Sequence, residues 1–267
     1  MKNVIAFPGL GIGPLTVSTS FKYYGMTVHW YGVIIASGIE LAYLYARKKA
    51  KKRDILDDQV TDVLLWGLPS AIICARLYYV IFSWSEYSDN FLDVFKIWEG
   101  GIAIYGAVIG ACLSTVIYCR VKKISIGKMF DVGAYGLLIG QIIGRWGNFV
   151  NAEAYGTETE TALLRMALVN KNLMVHPTFL YESLWNLLVF IVINLCEKYQ
   201  KFNGEIFLWY VTGYGLGRFF VEGMRTDSLM LGSFRVSQVL AALCVICGTA
   251  LIVFFRKKQK KEIQETL

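Results

Sequence analysis

Apolar runs of about twenty residues divide the chain, separated by short segments where Lys, Arg, Asp and Glu collect. They predict helices at roughly 28–46, 60–83, 101–119, 128–148, 177–196, 205–224 and 236–255. At 1.5 Å per residue each is long enough to cross about 30 Å of hydrocarbon. Lipid offers no partner to a free backbone N–H or C=O, so these segments are expected as helices packed on one another. Ahead of the first run, residues 1–26 hold Pro8, Pro14 and several glycines and lack the charged-then-apolar layout of a cleavable signal. They predict an irregular segment at the membrane interface.

Composition agrees with a membrane class. Hydrophobic residues make up 55% of the 267, charged residues 18%, and the mean hydropathy is +0.47. A water-soluble domain carries about 25% charged residues. The expected fold class is therefore an all-α polytopic membrane protein of about seven transmembrane helices, one transmembrane domain over residues 1–267. The six cysteines lie in or beside apolar runs, where a thiol behaves as a small buried hydrophobe, and no disulfide is expected.

The net charge is +7, and its distribution sets an orientation. Basic residues cluster after the first span (Arg47, Lys48, Lys49, Lys51, Lys52, Arg53) and after the third (Arg120, Lys122, Lys123, Lys128). They cluster again after the fifth (Lys198, Lys201) and in the tail at 256–267. The positive-inside rule then places the N-terminus outside and the C-terminus in the cytoplasm. These runs read as orientation signals and anionic-lipid contacts, not as a nucleic-acid site.

On the opposite side, residues 84–100 are acidic and aromatic (Glu86, Asp89, Asp93, Glu99, with Trp84, Tyr87 and Trp98). Residues 149–175 form the longest connection and are expected to fold over the outer surface as a small lid or arm. Gly106 with Gly110, and the row Gly136, Gly140 and Gly144, predict close helix contacts.

Charges inside a bilayer are costly and mark an interior or an aqueous cavity. Span four ends in Gly144-Arg145-Trp146-Gly147-Asn148-Phe149-Val150-Asn151-Ala152-Glu153-Ala154-Tyr155-Gly156. Arg145 and Asn148 are three apart and share a helix face. Alone, Arg145 fits a phosphate-binding fork or an arginine snorkelling at a helix end. Span six places Tyr214, Arg218 and Glu222 at i, i+4 and i+8. Arg76 lies within span two, and His29 and Tyr31 open span one, where Tyr31 also fits an interfacial anchor. His176 and Tyr181 open span five, and Tyr105 opens span three. On the charge-derived topology all of these fall toward the outer leaflet.

The segment 144–156 resembles the G-R-x-G-N-F-x-N-x-E-x-x-G signature of the bacterial prolipoprotein diacylglyceryl transferases, with every fixed position filled. Tyr214-Gly215-x-x-Arg218-Phe219-x-x-Glu222, His29-Trp30-Tyr31-Gly32 and His176-Pro177-Thr178-x-x-Tyr181-Glu182 resemble further motifs of that family. Trp98 to Gly106 departs from it: where the family often has a histidine, a suggested base, this chain has Tyr105, with Ala107 for a glycine. A tyrosine near pKa 10 is a poor base unless a cation lowers it.

The resemblance implies transfer of diacylglyceryl from phosphatidylglycerol to the lipobox cysteine of a prolipoprotein signal peptide. The product is a thioether, with glycerol phosphate released. It implies a multi-pass protein of the bacterial cytoplasmic (inner) membrane, its site toward the outer leaflet, with no metal or soluble cofactor and no nucleic acid. The expected catalytic residues are Arg145, Arg218, Tyr105, Tyr31 and Glu222. Asn148, Asn151, Glu153, Gly156, Tyr214, His29, His176, Tyr181 and Arg76 are expected around the substrate. The rival class is a transporter or lipid flippase whose intramembrane Arg and Glu line a path.

Overall fold

The computed structural model describes residues 2–88, 90–226, 228–232 and 234–266. Asp89, one of the acidic residues expected in the second outer connection, lies outside them. Seven long helices occur among the described residues: α1 (Trp30–Lys51), α2 (Asp57–Phe82), α3 (Ile104–Val121), α4 (Ile126–Asn151), α5 (Thr178–Cys196), α6 (Glu205–Met224) and α7 (Val236–Thr266). Each matches an apolar run. Five of them, α2, α3, α4, α5 and α7, are long and apolar enough to cross a membrane. The other two match them in length but carry charge: Glu40 and a basic last turn in α1, Glu205, Arg218 and Glu222 in α6. The protein is an all-α polytopic membrane protein with a small β component.

That β component corrects the reading of residues 1–26 as irregular. They form β1 (Lys2–Phe7), β2 (Ile12–Ser18) and a hairpin of β3 (Ser20–Tyr23) and β4 (Met26–His29). The connection expected as a lid supplies β5 (Met166–Leu168) and β6 (Leu173–Val175), giving an antiparallel sheet ordered β2-β1-β5-β6. Pairing explains how a Pro- and Gly-rich segment becomes sheet. Pro14 sits on the edge strand β2, where a missing N–H costs no ladder bond. β1 takes its second partner from far along the chain, Ile5 opposite Leu168. Ile5, Phe7, Met166, Leu168 and Val175 then bury together with Ala152 and Phe179, at the end of α4 and the start of α5. Asn3 Nδ2 adds a 2.8 Å hydrogen bond to the Val150 carbonyl. A further short pair, β7 (Met230–Leu231) and β8 (Phe234–Arg235), precedes α7. The tail from residue 256 is helical as well: α7 runs on through it, Lys, Gln and Glu being good helix formers.

By contact density the chain forms two compact units. One is Met1–Tyr45 with Gly133–Leu267; the other is Ala46–Val132. The second is built on α2 and α3. A side chain at Gly106 would meet Ala75 Cα at 2.8 Å, and one at Gly110 would meet Cys74 Cβ at 2.7 Å, so both glycines permit the close contact their spacing predicts. The other row behaves differently. A side chain at Gly140 would meet nothing within 4 Å, whereas one at Gly144 would meet Ile35 Cδ1 of α1 at 3.5 Å, and α1 approaches α4 with its own Gly38, facing Ile143 at 3.4 Å.

Gly110→Leu is expected to lower the thermal midpoint of the detergent-purified protein, with an overpacking cost of about 1–3 kcal/mol. Gly140→Leu is expected to leave the midpoint near that of the unsubstituted protein.

Candidate active site

α4 delivers Arg145 and α6 delivers Arg218 onto one carboxylate, Glu182 of α5. Arg145 Nε pairs with Glu182 Oε2, and Arg218 Nη1 donates to Glu182 Oε1 at 2.7 Å. Arg218 Nη2 pairs in turn with Glu222, one turn along α6. Two cations and two carboxylates thus alternate across three helices. The carboxylates are sealed, with side chains 3% and 2% exposed, whereas Arg145 and Arg218 retain 22% and 17%. Solvent therefore reaches the two arginine side chains but not the carboxylates they pair with.

Polar neighbours hold the arginines in place. The Tyr214 hydroxyl lies beside Arg145, and its ring stacks on Tyr210, whose hydroxyl accepts from Gln141 Nε2 at 2.9 Å. Arg145 Nη1 reaches Asn148 Oδ1 at 3.4 Å. Asn148 Nδ2 and Asn151 Nδ2 both donate to Glu153 Oε1, at 3.1 and 3.3 Å. Beside the ion pairs, Trp146 Nε1 donates to Ser183 Oγ at 3.2 Å, and Ser183 Oγ donates to the Ile142 carbonyl at 2.9 Å. That link ties the residue after Arg145 to the residue after Glu182.

The turn after α4 explains the remaining motif positions. Ala152 takes φ 52° and breaks the helix, while the Glu153 N–H returns to the Asn148 carbonyl at 3.1 Å. Gly156 then passes between the start of α5 and the end of α6. Its N–H donates to the His176 carbonyl at 2.9 Å, and a side chain there would meet His176 Cβ at 2.8 Å and the Met224 carbonyl at 3.1 Å. His176 Nδ1 lies 3.2 Å from the Tyr181 hydroxyl. Gly147 likewise makes room for the ring of Tyr31, whose Cδ2 lies 2.7 Å from where a side chain would start. Tyr31 remains 39% exposed.

Of the residues singled out by sequence, Arg145, Asn148, Asn151, Glu153, Tyr214, Arg218 and Glu222 join one connected network. Gly156, His176 and Tyr181 form a second cluster at the same turn, and Tyr31 packs on the motif. His29 ends β4, opposite Ser20 in the hairpin. Arg76 and Tyr105 belong to the other compact unit. There Arg76 is 6% exposed and gives its N–H groups to backbone carbonyls: Val94 and Gly100 at 2.8 Å, Gly101 at 2.9 Å and Asp93 at 2.6 Å. Gly101, at φ 69°, lets the chain turn against this guanidinium. The arginine ties down the 93–101 turn. Tyr105 opens α3 with its ring 6.3 Å from that of Tyr78.

Sequence reasoning passed over Glu182, the residue on which both arginines converge. It was visible within the His176–Glu182 motif but was given no role. The available signal was a carboxylate inside an apolar helix with no cation three or four residues away, which requires a cationic partner from another helix.

Comparison with known proteins adds the family. A family model described as prolipoprotein diacylglyceryl transferase matches residues 18–254. The chain is 49% identical over 259 residues to a phosphatidylglycerol–prolipoprotein diacylglyceryl transferase of Listeria innocua, covering 94% of this chain and 93% of that protein. It is 43% identical over 246 residues to the protein of that name from Clostridioides difficile (92% and 98%). A third relative of that name, from Limosilactobacillus reuteri, is 46% identical over 268 residues (96% and 92%).

Glu182→Gln removes the buried carboxylate while two part-exposed guanidiniums remain, and is expected to cost about 3 kcal/mol of stability, the low end of the range for a buried pair because solvent reaches the arginines. Asn148→Ala, which forfeits only hydrogen bonds at a part-exposed edge, is expected to cost about 1 kcal/mol. Thermal unfolding of both variants in one detergent checks the order.

Proposed function

The chain belongs to the prolipoprotein diacylglyceryl transferase family, and from that premise we propose that it transfers diacylglyceryl from phosphatidylglycerol to the lipobox cysteine of prolipoprotein signal peptides. The thiol sulfur forms a bond to the glyceryl carbon while that carbon's bond to the phosphate oxygen breaks. The thiol proton passes to a base, and glycerol phosphate leaves with the bonding pair. The observation that carries the reading is the pair of guanidiniums, from α4 and α6, held on Glu182 with their carboxylate partners sealed behind them.

The chemistry needs this arrangement. The departing phosphate monoester gains negative charge as the C–O bond breaks, and preorganised cations in a dry site stabilise that charge without reorganising. A guanidinium stays protonated in any environment and offers a planar fork to phosphate oxygens. Glu182 and Glu222 balance the two cations in the resting state, which makes their burial tolerable. Asn148 and Asn151 in the last turn of α4 and Glu153 just beyond it orient Arg145, Tyr214 flanks it from α6, and Tyr31 positions the headgroup. The site lies toward the outer leaflet of the bacterial cytoplasmic membrane, as the Lys and Arg distribution supports. Arg76 acts through the 93–101 turn it secures.

Purified protein given phosphatidylglycerol and a lipobox peptide is expected to release glycerol phosphate and add the mass of diacylglyceryl to the peptide. Movement of lipid or peptide across the membrane without that mass gain would favour a transporter. Arg218→Ala and Arg145→Ala are each expected to lower the rate on the order of 10²–10³-fold. Arg145→Lys keeps the charge but lacks the planar fork, and is expected to recover little. An unchanged rate in Arg145→Ala would remove Arg145 from the mechanism.

A thiol near pKa 8.5 is only slightly ionised at neutral pH, so the base governs the pH profile. Rates of Tyr105→Phe, Tyr105→His and His29→Ala across pH assign it. The base is the residue whose removal flattens the rise of rate with pH, and Tyr105→His is expected to move that rise to lower pH if the base is Tyr105.

A further inference from the structure

A second feature lies on α5, α6 and α7, one helical turn beyond Glu182. A groove of about 490 Å³ runs between α5 and α6, floored by Leu188, Val192 and Cys196 on one side and by Trp209 and Gly213 on the other. Trp185 closes one end, its Nε1 donating to the Gly213 carbonyl at 2.8 Å and its ring packed on Gly217. Tyr199 and Arg256 line the other end. From Trp185 to Cys196 the groove follows roughly 16 Å of helix at 1.5 Å per residue. That is about half the 30 Å hydrocarbon thickness, the depth of one leaflet.

The two ends differ in chemistry. The Trp185 end offers only ring and backbone surface. At the other end Arg256 lies 5.9 Å from the Trp209 ring centre, and Lys198 Nζ lies 5.0 Å from that of Tyr199. Glu205, fully buried, neutralises one charge through its pair with Arg256 Nε at 2.5 Å. Gln259 Nε2 donates to the Lys201 carbonyl at 2.6 Å and brings the Lys198–Lys201 turn against α7. Lys260, one turn beyond Arg256, extends the same helix face. Glu197, on the same turn as Lys198, and Glu205 stand against Lys198, Lys201, Arg256 and Lys260, so the rim keeps a positive excess over aromatic rings, the setting in which cationic side chains meet anionic headgroups.

We infer that this groove binds an acyl chain of an anionic phospholipid whose headgroup rests against Arg256, Lys198 and Lys201. Chain length and rim charge select together: a one-leaflet slot holds the tail, and the basic end discriminates against zwitterionic lipid. The site is separate from the arginine cage and does not depend on the transfer reaction.

The test uses full-length protein purified in detergent from mixed vesicles of phosphatidylcholine and phosphatidylserine, with retained lipid counted by native mass spectrometry. Phosphatidylserine is the anionic probe because it is not the proposed donor. The protein is expected to retain phosphatidylserine in several-fold preference to phosphatidylcholine. Val192→Trp fills the groove from an exposed face and is expected to lower retention several-fold, and Lys198→Gln with Lys201→Gln to erase the preference. Thermal midpoints near that of the unsubstituted protein establish that these variants fold. Unchanged retention in Val192→Trp overturns the groove assignment, and equal retention of both lipids by the unsubstituted protein overturns the headgroup assignment. Loss of retention in Arg145→Gln, with Val192→Trp unaffected, would place the lipid at the arginine cage and sink the proposal.

Discussion

The carboxylate of Glu182, 3% exposed inside a set of apolar helices, cannot stand alone. An isolated buried carboxylate is too costly to keep ionised, and two neighbouring part-buried guanidiniums repel each other without counter-charge. Arg145, Glu182, Arg218 and Glu222 solve the problem jointly, but only if α4, α5 and α6 meet at one level. Much of the surrounding detail follows from that demand. Trp146 and Ser183 lash α4 to α5, Gly217 admits Trp185 so that α5 and α6 close up, and Tyr214 fills the gap beside Arg145.

The small sheet serves the same constraint from outside the helices. Helix ends at a polar layer would fray, because their last carbonyls lack intrahelical partners. β1 and β5 bring residues from the two halves of the chain together over Ala152 and Phe179, where α4 stops and α5 begins. Gly156 completes the closure by letting the turn pass between His176 and Met224. The motif that carries Arg145 is therefore held on both sides: by ion pairs inside the helices, and by a miniature β core at their ends.

Chemically, the asymmetry of exposure matters more than the neutral total. With carboxylates sealed and guanidiniums part-open, the network presents positive potential to a ligand while remaining balanced within the protein. In the proposed transfer the leaving group arrives with one negative charge and departs with more, and cations held in place beforehand would stabilise it without reorganising.

Helices and their approximate limits were legible in the sequence because hydrophobic periodicity and length are local properties of the chain. The pairing of Arg218 with Glu222 was legible too, since i and i+4 meet on any helix. Gly106 and Gly110 announced a close contact that α2 and α3 do make. Other features were decided only by the tertiary structure. Residues 1–26 looked irregular because Pro and Gly mask two local pairings, β1 with β2 and β3 with β4, and because the strand that covers the other edge of β1 lies about 160 residues away in sequence. The backbone carbonyls that take up the N–H groups of Arg76 come from the 93–101 turn, and no local pattern announced them. Glu182 gave no local sign of its two partners, because both come from other helices. The sequence by itself settled which segments are helical and which residues carry charge into them. Which charges meet depended on helix packing, because the energy of a buried ion pair lies between elements that no local pattern encodes.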